Sequence, residues 1–433
     1  MPLPSRRLLF PAFAVLLSLL LALGISEGLV RWLERSERLG SERRARYQEA
    51  YQALAFRTDG LGEAGFLSPG FSGQVSDEYG RPVEWVHNAL GFRSRRDYPR
   101  ERPPGVLRIL SIGDSFVVGH RLAQENTVSR QLERWLDRDG GHPGAEVLIA
   151  AIEHPATGLE YLERYGFSFD PQVVMLGLTL GNDVAQVYFT LGEKGRYRLR
   201  PDDGGPAIEL NPADDHDAAL AAVREQRIPA EYRSAAPGAT PWNAQEPQAE
   251  APSALDRWVH LVPFLRHWLA DRRERRAPQA ILSTWHEYAE PRLFDGNGLG
   301  LYLSPAPPEI ERAYRLLFEL LAAYQRDCQA RGIRLILTVH AQRFQVQPQD
   351  WQATVTAYGL DPARFDLGAP NRRIAELCRE RGLTCLDPTE AMAERYARDR
   401  KTLFMPRGDM HWNTLGSRTF FELIRDPLAK ALR

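Results

Sequence analysis

Cysteine is scarce in this sequence: Cys328, Cys378 and Cys385 are the only three in 433 residues. That is too few, at the wrong spacing, for a disulfide framework or a thiolate metal site. Buried thiols are the plain reading, and a Cys378 to Cys385 bridge is the alternative, open only in an oxidising compartment. Net charge is equally short. Lys+Arg 55 against Asp+Glu 56 leaves no basic footprint to neutralise phosphates, so nucleic acid is not an expected partner. The histidines, His286 and His340 among them, lack metal-ligand spacing, and neither a metal nor a cofactor is expected.

Long apolar runs are confined to the amino terminus, where residues 8–26 are nineteen uncharged residues between Arg7 and Glu27. As a helix they would rise about 28 Å, enough to span a bilayer. Arg6, Arg7 and the α-amino group mark the cytoplasmic side, while Arg31, Arg35 and Arg38 reduce the asymmetry on the far flank. We read an uncleaved transmembrane anchor, because the run exceeds what a signal peptide needs; a cleaved signal with Ala22-Leu23-Gly24 as its site is the competitor. A single-pass protein of the cytoplasmic membrane follows, its main domain periplasmic or extracellular.

The chain then divides into three parts: 1–35, the tip and anchor; 36–105, a charged stalk and a small irregular β region rich in Gly, Pro and aromatics; and 106–433, the main domain. Within the last, apolar runs at 108–112, 145–152, 172–180, 334–339 and 383–386 alternate with amphipathic helical patterns. One helix carries Ile310, Ala313, Leu317, Leu320 and Tyr324 on a single face. Such alternation predicts a five-stranded parallel sheet covered by helices. The pattern breaks after Asp183 in an insertion at about 184–306, with a hairpin near 201–205, a low-complexity stretch at 234–253 and an aromatic-rich helix at 255–275.

Chemistry concentrates at the carboxyl ends of these strands, where open α/β sheets bind ligands. Gly113-Asp114-Ser115 ends the first strand, and reads alone as a capped turn or as a serine delivered to a crevice. Asp409-Met410-His411 lies in the polar turn before the last helix. A serine hydroxyl becomes a competent nucleophile when a histidine takes its proton and a carboxylate fixes the histidine tautomer. Asn182, in Leu180-Gly181-Asn182-Asp183, offers a side-chain N–H to a developing oxyanion. No Gly-x-Ser-x-Gly elbow surrounds Ser115, which argues against an α/β-hydrolase. His340 ends a strand as a satisfied structural histidine or a crevice residue. Trp285, Trp412 and Tyr161 are packing residues or sugar platforms.

Taken together and in order, Gly113-Asp114-Ser115, Asn182-Asp183 and Asp409-Met410-His411 resemble the SGNH/GDSL hydrolase family. The resemblance implies a flavodoxin-like three-layer α/β/α fold, with Ser115 as nucleophile, His411 as base and Asp409 orienting it. It also implies an oxyanion hole built from Ser115, Asn182 and the residue after the second strand, for which His154 stands in place of the usual glycine. Residues 88–93, Asn-Ala-Leu-Gly-Phe-Arg, look like membrane-anchored bacterial members. The Asp-x-His-Trp spacing is similar to SGNH proteins that O-acetylate exopolysaccharides such as alginate. The expected activity is a serine esterase acting outside the cytoplasm on an acylated, O-acetylated carbohydrate or cell-envelope component. The alternatives are a polysaccharide O-acetyltransferase using the same residues and a catalytically silent binding protein. Expected partners are an acylated carbohydrate or other small ester, and the membrane through the N-terminal helix.

Overall fold

The computed structural model of the chain describes residues 55–57, 60–77, 81–192, 194–200, 207–233, 292–294, 298–406 and 408–433, with helical residues between 17 and 35. The chain divides into two compact units, Met1–Arg46 with Gln245–Ala277, and Tyr47–Ala244 with Pro278–Arg433. In the first, residues 24–32 are helical, and Leu17, Leu21, Ile25, Leu29 and Trp32 expose large apolar side chains. Among the described residues no helix is long and apolar enough to cross a membrane. Much of the expected span at 8–26, including 8–16, lies outside the described residues, as do 234–253, the helix expected at 255–275, Trp285 and His286.

The second unit opens with an antiparallel hairpin, β1 (Ser72–Ser76) and β2 (Pro82–Val86). Then come β3 (Arg108–Gly113), α1 (Ser115–Val118), α2 (Val128–Arg138), β4 (Glu146–Ala151), α3 (Pro155–Arg164), β5 (Val173–Leu178) and α4 (Leu180–Thr190). A second hairpin, β6 (Tyr197–Leu199) with β7 (Ile208–Leu210), precedes α5 (His216–Glu225) and α6 (Pro308–Gln329). The chain closes with β8 (Arg334–Val339), α7 (Arg343–Val346), α8 (Pro348–Tyr358), α9 (Ala369–Arg381), β9 (Thr384–Leu386), α10 (Thr389–Asp399) and α11 (Thr414–Leu432).

β3, β4 and β5 are buried at every position, as strands covered on both faces must be, so they read as unbroken apolar runs. Together with β8 and β9 they make a parallel sheet in the order β4-β3-β5-β8-β9, the 2-1-3-4-5 order of flavodoxin-type sheets. Successive side chains leave opposite faces, which splits the interior in two. Leu110, Ile112, Leu148, Val174 and Leu176 pack with α3, α4 and α6. Ile109, Val147, Val173, Met175 and Ile336 pack with α2, α10 and α11. The direction of winding reverses between β3 and β5, and a crevice opens there at the strands' carboxyl ends.

Two expectations change. Regular structure does not break after Asp183: α4 continues to Thr190, because Gly181-Asn182-Asp183 is a first helical turn in which the Asp183 carboxylate accepts the Thr179 N–H at 2.7 Å. Cysteine pairing takes the alternative form: Cys378 and Cys385 are bridged and Cys328 is a buried free thiol.

The irregular region before β3 is tied to the sheet. Phe66 N–H donates to Ala151 O at 2.9 Å and Ala151 N–H to Ala64 O at 3.2 Å, so residues 64–66 lie along the edge of β4. Gly65 permits this approach: at φ +72° a Cβ would sit 1.8 Å from Ala151 O.

Candidate active site

Ser115 owes its position to Asp114. β3 ends at Gly113, and Asp114 caps a one-turn helix by accepting the Phe116 N–H at 2.9 Å, the ordinary use of Asp at a helix start. The helix stops at Gly119 in the left-handed region, φ 78°, where its Cβ position is also crowded by Thr127 and Arg93. Arg93, fully buried, lies over the Trp85 ring at 3.4 Å and donates to the carbonyl oxygens of Val118, Gly119 and Leu122. A cation among the carbonyls that end a helix satisfies them and fixes the loop that follows.

His411 reaches Ser115 from the other side of the crevice. The turn that carries it is a narrow loop, with Met405 N–H bonded to His411 O at 2.9 Å and Asn413 N–H to Leu403 O at 3.1 Å. Asn413 then caps α11, accepting from Gly416 N–H at 2.8 Å while its amide donates to Thr402 O and Phe404 O. Buried Arg343, paired with Asp350 at 2.8 Å, donates to Asp409 O at 3.1 Å and Met405 O at 2.6 Å. The turn is thus held from both ends.

Within it, His411 Nε2 lies 2.7 Å from Ser115 Oγ and His411 Nδ1 lies 2.7 Å from Asp409 Oδ1. A carboxylate only accepts, so Nδ1 carries the proton and Nε2 is free to accept from the serine hydroxyl. The His411 backbone N–H also donates to Asp409 Oδ1 at 2.9 Å. Burial pushes the Asp409 carboxyl up, but the His411 hydrogen bond and the nearby imidazoles outweigh it and hold the group below the usual carboxylate range. Beneath the imidazole, Phe116 sits 5.1 Å from His411 and 5.3 Å from His340 between ring centroids. Trp412 packs edge-on against Phe116 at 4.9 Å and tilted on Phe420 at 4.3 Å.

Asn182 stands at the head of α4. Its Nδ2 donates to Asp114 Oδ2 at 3.2 Å, and only this orientation of the amide avoids facing its own oxygen toward the carboxylate. Asp183, behind it, is fully buried, and burial followed by the charge of Asp114 drives its carboxyl well above the normal range.

His154 was expected at the oxyanion hole. It is buried and caps α3 in a reciprocal box: its N–H donates to Thr157 Oγ1 at 3.2 Å, and its Nδ1 accepts the Thr157 N–H at 3.4 Å. Its backbone N–H and its Nδ1 are engaged with the helix start. The cavity beside Ser115, about 220 Å³, is lined instead by Ile152 and Glu153 from this segment. Among the described residues, the N–H groups of Ser115 and Glu153 have no hydrogen-bond acceptor.

Phe56, Arg57 and Phe66 form the outer wall of the same cavity, with Val118, His120 and Ala151 inside. That wall comes from the strip along β4, and nothing in its sequence spacing pointed to it. Nor did spacing single out His120, which follows α1 by one residue beyond its cap; its N–H donates to Ser115 O at 2.8 Å, and its ring centroid lies 4.5 Å from that of His411. Burial first, then the His411 imidazole, lower His120 to about 3, so the ring is neutral. His340 is structural: it is buried, bonded through Nδ1 to Thr179 Oγ1 at 3.0 Å, and burial lowers it to about 4. Tyr161 and Trp412 are buried packing residues, Tyr161 donating to Glu63 O at 2.8 Å.

No protein-family model and no curated protein matches the sequence. Among solved structures, the chain is similar to a two-domain esterase active on acetylated mannans, with 10% identity and a TM-score of 0.35 over 75% of this chain and 49% of that one. It thus spans about half of that protein's length. It is similar to an acetyl xylan esterase, with 11% identity and a TM-score of 0.35 over 74% of this chain and 100% of that one. It is also similar to a protein of Bacteroides fragilis described as an acylhydrolase, with 10% identity and a TM-score of 0.33 over 77% and 92% of the two chains.

Proposed function

We propose that this chain is a serine esterase of the SGNH type whose substrate is a short-chain acyl ester, an O-acetylated carbohydrate above all. The observation that carries the reading is the relay itself, Ser115 Oγ to His411 Nε2 and His411 Nδ1 to Asp409 Oδ1, both at 2.7 Å. His411 takes the Ser115 proton as Oγ attacks the ester carbonyl, and Asp409 stabilises the imidazolium. Collapse of the tetrahedral intermediate expels the sugar oxygen, which takes the proton from His411. The acyl-serine is then released to water by the same steps.

The oxyanion needs fixed donors, each supplying about 2.7–4 kcal/mol of transition-state stabilisation. We assign these to the Ser115 N–H, the second N–H of Asn182 Nδ2, and the Glu153 N–H in the place expected of His154. Val118, Ala151 and Ile152 make the inner wall of the cavity apolar and small, suited to an acetyl methyl group, whereas Phe56, Phe66, Arg57 and Glu153 give its mouth the aromatic and polar surface a sugar ring requires. We place this unit outside the cytoplasm on two supports: the apolar side chains exposed on the N-terminal helical residues, and the Cys378–Cys385 bridge.

The test is turnover of 4-nitrophenyl acetate and of an acetylated xylo- or manno-oligosaccharide by the full chain and by Ser115→Ala. Wild-type release of acetate, abolished in the variant, is expected. Equal rates would reject Ser115 as nucleophile.

A further inference from the structure

We propose that the active site contains an inhibitory metal site for a divalent ion of the zinc type, formed by His120, Asp409 and His411. These residues come from two separate loops, and one donor atom from each lies within 4.8 Å of the others. Two imidazoles and a carboxylate are a donor set that binds Zn²⁺, and a tetrahedral ion would keep one position for water. Zinc at about 2.0–2.1 Å from each ligand sets donor–donor edges of about 3.3–3.4 Å. The donor atoms, within 4.8 Å of one another, must draw together to that spacing to hold an ion. His120 is anchored through its backbone N–H, which donates to Ser115 O, and it lines the cavity beside Ser115.

The consequence for the reaction follows from the bonds of His411. One nitrogen is held by Asp409 and the other by Ser115. Whichever nitrogen binds the ion, one of these two bonds is broken. Metal at Nε2 removes the acceptor for the serine proton; metal at Nδ1 removes the carboxylate that fixes the tautomer and forces the proton onto Nε2. Either way the base is blocked while Ser115 stays in place. Inhibition rests on the reading of His411 as the base. Binding of the ion does not.

The test uses the full chain in a non-chelating buffer with ZnCl₂ as the only added metal, read by calorimetry, and CoCl₂ read by its visible absorption. One equivalent is expected to bind, with intense tetrahedral cobalt bands. His120→Gln should weaken binding by at least the roughly 10–100-fold that loss of even an outer-shell partner costs, while Ser115→Ala binds as the wild type does. Zinc should slow ester turnover reversibly, with recovery on adding EDTA, and the inhibition constant of His120→Gln, measured against its own metal-free rate, should rise by the same factor as its dissociation constant. Absence of stoichiometric binding and of cobalt bands in the wild-type chain overturns the proposal, whatever becomes of the variant. Undiminished binding by folded His120→Gln overturns it too. Binding with full retention of turnover overturns instead the assignment of His411 as base.

Discussion

Among the described residues the Ser115 hydroxyl has one protein partner, His411 Nε2, so removing it leaves the packing of α1 intact. Ser115→Ala is expected to unfold at the wild-type temperature and to lose about 10⁴–10⁶ in kcat, the scale on which losing a triad nucleophile falls. Asp409→Asn keeps the turn but favours the wrong imidazole tautomer, which should lower kcat by about 10⁴ with little effect on KM. His154 behaves in the opposite way. Its N–H and ring serve the start of α3, so His154→Ala should cost about 1 kcal/mol of stability and change kcat/KM by less than the 10²-fold or more that loss of an oxyanion donor brings. Chemical denaturation and steady-state kinetics on the same preparation separate the two. The convergence of Ser115, Asn182, Asp409 and His411 was legible in the sequence because each sits beside a strand or helix boundary that the hydrophobic pattern marks. The placement of Glu153 and His120 at the same cavity was not, because it depends on which backbone N–H a cap consumes and on which loop faces which.

Among the elements, the ones that hold the site are those whose sequence says least about it. Arg93 belongs to the turn after β2, yet its guanidinium ends up on the carbonyls following α1. Arg93→Met should destabilise the fold by about 1.5–3 kcal/mol, the range for hydrogen bonds to a charged group, and lower kcat more than it raises KM; Arg93→Lys, one charge with fewer donors, should recover part of both. The strip at 64–66 is equally exacting. Gly65→Ala drives a methyl group into Ala151 O and should strip Phe66 from the cavity wall, raising KM for oligosaccharide esters well above any change for 4-nitrophenyl acetate. The strand runs were readable because burial on both faces demands continuous apolar residues. α4 was not, since Gly-Asn-Asp is as good a turn as a helix start, and the burial of Asp183, which pushes its carboxyl up, is a tertiary effect that no local pattern encodes.

For the whole molecule, buried histidines set the acid limit, His87 and His340 beside His120. Burial lowers His87 and His340 to about 4 from an ordinary value of 6.5. In the unfolded chain they bind protons below pH 6.5, and in the fold only near pH 4, so the unfolded state holds more protons between those values and stability falls as pH drops through that window. Each contributes on the order of 3 kcal/mol by pH 4. Urea titrations at pH 7.5 and pH 5 should show the loss, and His340→Phe, which fills the aromatic layer without a titrating group, should lessen it by the His340 share. The five-stranded parallel sheet was the part of the architecture most open to prediction, whereas the outer wall of the cavity depends on chain contacts 85 residues apart, as from Phe66 to Ala151. The central claim, that an ester is cleaved through Ser115, is tested most directly by rapid-quench mass spectrometry of the full chain mixed with 4-nitrophenyl acetate. An acetyl group on the peptide containing Ser115, formed and discharged at the turnover rate and absent in His411→Ala, is the predicted result; steady turnover with no acyl group ever found on Ser115 would contradict it.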